Sequence, residues 1–114
     1  MGRRLRKFMK RLEAAGYAYL RDRNVDRYLL ELDACREMAG IRNMALSGIP
    51  AGDYVTVLKI RTLREAGREE EVLSLLETAK REMKGEKALL LLRDEEEKLG
   101  GTITKESLED KHGN

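Results

Sequence analysis

Tryptophan is absent, phenylalanine, proline, cysteine and histidine occur once each, and four tyrosines complete the aromatic set. Strands draw on aromatic and β-branched residues, so this shortage disfavours an all-β sandwich. A lone cysteine cannot close an internal disulfide, and nothing implies an oxidising compartment. The longest uncharged stretch, residues 43–52, is ten residues long, against the roughly 20 apolar residues that a bilayer-spanning helix needs. Lys10, Arg11 and Glu13 interrupt any apolar segment behind the basic start, so no secretory signal is expected. A cytoplasmic protein without a membrane span is the expectation.

Charge is what the chain has in excess. Charged residues make up 39% of the 114 residues, against about 25% in an ordinary domain. The net charge of +2 conceals a gradient. Residues 1–23 hold eight Lys/Arg against two acids, while residues 85–114 hold five against eight. A basic head suits a polyanionic partner or a contact with an acidic surface.

Apolar spacing predicts helices. Leu5, Phe8, Leu12, Ala15 and Tyr19 recur at steps of three and four, which gives one buried face over residues 3–20. Asn24 has the chemistry of an N-cap for a second helix carrying Tyr28, Leu29, Leu32 and Cys35, with Gly40 as its stop. Residues 41–46 fit one more helical turn. Residues 47–53 contain the only proline and two glycines and form the main break. Asp53 fits the cap of a third helix over residues 54–66. Residues 55–58 are β-branched enough that strands at 55–58 and 102–104 form the alternative. Gly67 separates the third helix from a fourth, whose acidic start (Glu69, Glu70, Glu71) and basic end (Lys80, Arg81) match the helix dipole.

A fifth helix is expected over residues 86–99, ended by Gly100 and Gly101. Residues 54–84 resemble a tetratricopeptide helical hairpin, with Gly67 at the turn and Val72, Leu76 and Ala79 on the second helix. Only one such hairpin is present, and arrays need about three, so the segment reads as a generic αα-hairpin. The whole reads as all-α: a compact bundle of about five helices, two before the Gly/Pro loop and three after it. A single helical domain over residues 1–101 is followed by a polar, flexible tail over residues 102–114. Leu12, Leu29, Leu32, Val72, Leu75, Leu76 and Leu90 form the expected core.

No catalytic set assembles. Cys35 lies on an apolar stripe and His112 lies in the tail, so a nucleophile–base pair is not expected. A calcium loop around residue 101 fails because its ligand positions fall on Glu96, Lys98 and Gly100. The acidic run 94–97 reads as a solvated helix face. We therefore expect no enzyme, no cofactor and no metal. The expected function is a small helical interaction module that binds a protein partner or itself. Leu89, Leu90, Leu91 and Leu92 cover a whole helical turn and would supply the self-association surface. The alternative is a nucleic-acid-binding accessory or regulatory protein, of the phage or mobile-element kind. Arg3, Arg4, Arg6, Lys7, Lys10 and Arg11 would contact the phosphates of DNA or RNA, or an acidic partner, with Tyr17 available for stacking.

Overall fold

A computed structural model describes residues 2–38 and 41–112, with side chains placed for 2–38, 41 and 43–100. The chain forms five helices and one minimal hairpin. They are α1 (Arg3–Asp22), α2 (Val25–Arg36), a 3₁₀ turn (Ile41–Asn43), β1 (Ala45–Leu46), β2 (Ile49–Pro50), α3 (Ala51–Glu65), α4 (Glu69–Glu82) and α5 (Glu86–His112). The fold is all-α, as the apolar periodicity predicts.

Local chemistry sets the boundaries. Asn24 caps α2, its side chain accepting from the Arg27 N–H at 3.1 Å. Arg23 closes α1 in the left-handed region, φ 54°, and its N–H reaches the Tyr19 carbonyl at 2.7 Å. Pro50, not Asp53, stands at the cap position of α3, with the non-helical ψ of 135° usual there and no side-chain capping bond, and Asp53 falls in the first turn. The β-branched residues of α3 are accommodated because Val55, Val57 and Ile60 are buried in the core, while the Thr56 and Thr62 hydroxyls donate to the carbonyls of Gly52 and Leu58 at 3.1 and 2.8 Å. Strands over 55–58 and 102–104 therefore do not form. The two strands lie instead on either side of Ser47 and Gly48. Both residues take positive φ, 53° and 84°, which identifies a two-residue type I′ turn. The expected extra helical turn over 41–46 is split between the 3₁₀ turn and β1.

Two apolar clusters meet along α3. One joins Phe8, Leu12, Leu32, Cys35 and Met44 to Ala51 and Val55 at the start of α3. The other joins Val57, Ile60 and Leu63 to Val72, Leu76, Ala79, Ala88, Leu92 and Leu99. Of the expected core, Leu12, Leu32, Val72 and Leu76 are buried and Leu29 and Leu75 are partly so. Leu90 is not in the core: it is 57% exposed. The buried stripe of α5 is Ala88, Leu92, Glu95 and Leu99, and Leu90 lies two residues, about 200°, beyond Ala88 on the helix.

Two further expectations fail on α5. Glu95 is not a solvated residue; it is 1% exposed. The helix also does not stop at Gly100 and Gly101 but continues to His112. Two glycines cost a helix about 1 kcal/mol each, and they are followed by the helix formers Lys105, Glu106, Leu108, Glu109 and Lys111.

Candidate functional site

The solvent face of α1 is the densest unpaired charge on the molecule's described surface. Arg3, Arg4, Arg6, Lys7, Lys10 and Arg11 are all exposed. Arg3, Arg6, Lys7 and Lys10 recur at three- and four-residue steps, so they share one side of the helix. Leu5, Phe8 and Leu12 turn the opposite side to α2 and the hairpin. Arg11 stands apart, with its guanidinium 3.9 Å from Glu31 of α2. Among the described residues, no carboxylate lies within ion-pairing distance of Arg3, Arg4, Arg6, Lys7 or Lys10.

Several cations elsewhere are differently placed. Lys59 reaches Asp33 at 2.7 Å, and Arg61 and Arg64 clamp Glu95 at 3.1 Å each. Arg68 bridges Asp26 on α2 and Glu71 on α4 at 2.6 and 2.8 Å, which raises its already high pKa through those hydrogen bonds. Lys80 pairs with Glu96. These charges tie helices together, whereas those of α1 face water.

Beside the basic face, α1 borders two neighbouring depressions. One, about 320 Å³, has Gly16, Tyr17 and Leu20 on the α1 side and Tyr28, Leu58 and Arg61 across from them. Tyr19 and Tyr28 close its inner wall as a stacked pair, with centroids 4.5 Å apart and planes at 8°. Tyr17 is 69% exposed. The second depression, about 740 Å³, is an apolar groove between α1, the hairpin, α3 and α5, lined by Leu5, Met9, Leu46, Tyr54, Leu58 and Leu91. The two share Glu13, Tyr28 and Leu58.

The expected self-association turn is divided. Leu92 is buried in the core, Leu89 and Leu91 pack partly against it, and Leu90 alone is exposed. The sequence offered no groove: it assembles only when the hairpin and α5 come up beside α1. Glu13 and Leu58, spaced far apart in the chain, carried no signal that they would share a wall.

Other sites are chemically sparse. Cys35 is fully buried, and burial pushes its thiol up, with Arg11 opposing and Glu31 adding to the shift. A recess between the end of α2 and the start of α3 is lined by Arg36, Glu37, Asn43 and Asp53. Burial pushes the Asp53 carboxyl up and Arg36 pulls it back. Among the described residues, no group of three or more His, Cys, Asp and Glu side chains could hold a metal ion. Among them too, no helix is long and apolar enough to cross a membrane. No known family matches this chain, nor does any curated protein or solved structure show significant similarity to it.

Proposed function

We propose that this protein is a non-enzymatic nucleic-acid-binding module that contacts the phosphate backbone through the solvent face of α1. One observation carries the reading: five cations, Arg3, Arg4, Arg6, Lys7 and Lys10, project from a single rigid helix with no carboxylate within pairing distance among the described residues. A purely structural helix face balances such charge, as α4 does with its acidic first turn and basic last turn. A polyanion uses it, because each neutralised phosphate releases a condensed counterion.

The test is binding to duplex DNA and RNA over a range of salt. About four to six phosphate contacts give a log–log slope of roughly −3 to −5. The variant R3Q/R4Q/R6Q/K7Q should lose most of that slope and keep its melting temperature, since those side chains are exposed. Absence of binding at low salt, or a slope that survives the substitutions, overturns the reading.

The apolar groove beside the hairpin supports a second reading, association with another copy or a protein partner. Apolar side chains gathered in an open groove suit an interface, and Met9 and Tyr54 are among this groove's walls. Sedimentation at micromolar concentration separates the two. A dimer favours this reading, and a strict monomer well above that concentration removes the self-association form of it.

A further inference from the structure

We propose that the depression between α1 and α3 receives an unstacked base, so that the ligand of the basic face is a single-stranded nucleic acid. This rests on the phosphate-contact reading of α1 given above. Three observations converge on it.

The first is Gly16. A glycine inside a helix is unfavourable relative to alanine, and packing gives no reason for it here: a Cβ at this position would meet nothing within 4 Å. Gly16 instead lines the depression, where a side chain would fill the space. The second is Tyr17, which lines the same depression from the next position and is 69% exposed. Tyr19 and Tyr28 are stacked on each other, whereas among the described residues the Tyr17 ring has no aromatic partner. It is an open face, and base–aromatic stacking is the usual means by which proteins hold single strands. The third is charge. Glu13 and Glu65 line the depression and would repel a phosphate, the cation on its far wall, Arg61, is already paired with Glu95 at 3.1 Å, and Lys10 lies one turn before Glu13 on the basic side of α1. A nucleotide is therefore oriented with its phosphate on the cations and its base toward the carboxylates.

The depression is open to solvent and, at about 320 Å³, has room for one ring system lying against the Tyr17 side of α1. The carboxylates of Glu13 and Glu65 would accept from exocyclic amino groups, which adenine, cytosine and guanine carry, whereas uracil and thymine offer only the ring N3–H and should be held less well.

The experiment is fluorescence anisotropy with labelled 12-nucleotide DNA and RNA, single-stranded and duplex, on the full chain and two variants, Gly16→Leu and Tyr17→Ala. Circular dichroism and melting confirm that both variants are folded, and no side chain near Gly16 opposes the leucine. The parent should prefer single strands over the duplex of the same sequence. Each variant should lose about fivefold to a hundredfold in single-strand affinity, with duplex affinity and salt slope unchanged. Equal binding of single strand and duplex with a steep salt slope would leave the phosphate contacts standing and overturn the base pocket. Variants that bind single strands as the parent does would also overturn it. No binding to any of the four probes removes both readings. A dimeric parent that becomes monomeric on Gly16→Leu would assign the depression to a second copy and overturn the proposal.

Discussion

Arg64 on α3 donates its Nε–H to a carboxylate oxygen of Glu95 on α5 at 3.1 Å, and the Glu95 side chain has no exposure to solvent. Arg61, one turn earlier on α3, donates to the other oxygen at the same distance. Arg61 is 40% exposed and Arg64 19%, so both keep some hydration and only the carboxylate has given up all of it. Glu95→Gln keeps the shape but removes the negative charge shared by Arg61, Arg64 and, at 3.9 Å, Lys98. Removing one member of such a pair costs about 3–5 kcal/mol when both are buried. With both arginines still partly exposed, about 2–4 kcal/mol is expected, read as a lower urea midpoint with an unchanged m-value.

The two leucines that the apolar pattern groups together should separate sharply. Leu76 is 3% exposed and Leu90 57%. Leu76→Ala should cost about 2–5 kcal/mol, and Leu90→Ala should stay within about 0.5 kcal/mol of the parent. Thermal melts of both decide the core assignment. Similar losses in the two would show that Leu90 is covered in solution, and hence that a partner or second copy sits on α5.

Gly48 tests the hairpin. Its φ is 84°, and a Cβ there would come within 3.0 Å of the Lys87 ammonium. Gly48→Ala should cost about 1–2 kcal/mol from the left-handed backbone, with Lys87 displaced from the Ser47 carbonyl, to which it donates at 3.3 Å. Gly67, φ 76°, has no such neighbour. Gly67→Ala should therefore cost the backbone penalty alone, and a Gly48 variant that is the milder of the two would contradict the turn geometry.

Alkaline pH should destabilise the fold. Burial raises the Cys35 thiol above its ordinary value, so the folded chain holds the proton more tightly than the unfolded one. The neutral thiol's contribution is complete below an unfolded pKa of about 8.5 and declines as the pH rises above it. The Tyr28 phenol, raised mainly by burial and then by Tyr54, adds a second decline at higher pH. Cys35→Ala should flatten the fall in stability between about pH 8 and 10, measured as denaturant midpoints. An unchanged slope would show that the thiol ionises freely in the folded state.

The parts of this fold that were legible in the sequence are those set by nearest neighbours. Leu5, Phe8 and Leu12 fixed a helical face, and Asn24 announced the cap of α2, because three- and four-residue contacts and capping bonds are local. Glu95 was illegible as a buried group because its neighbours Asp94, Glu96 and Glu97 are all acidic. A usable signal existed in its register with Ala88, Leu92 and Leu99 and in the Arg61–Arg64 spacing. The Ser47–Gly48 turn was readable as a break but not as a hairpin, since two-residue strands are too short to show alternation. The continuation of α5 past Gly100 and Gly101 defeated the usual reading of paired glycines as a stop. The basic face of α1 was evident from composition, whereas the depression beside it depends on Tyr28, Leu58 and Arg61 arriving from two other helices.

Because α3 supplies Ala51 and Val55 to one apolar cluster and Val57, Ile60 and Leu63 to the other, neither half of the molecule can lose its order without exposing part of the same helix. Fraying of α1 would open one cluster and leave the other sealed, so amide hydrogens on α1 can exchange through a partial opening. Those in the middle of α3 can exchange only when both clusters are breached. The slowest exchange in the chain should accordingly fall on the amides around Val57 and Ile60, at a rate set by global unfolding. A nucleic acid held on α1 would then slow exchange across its own helix while leaving that of α3 almost unchanged.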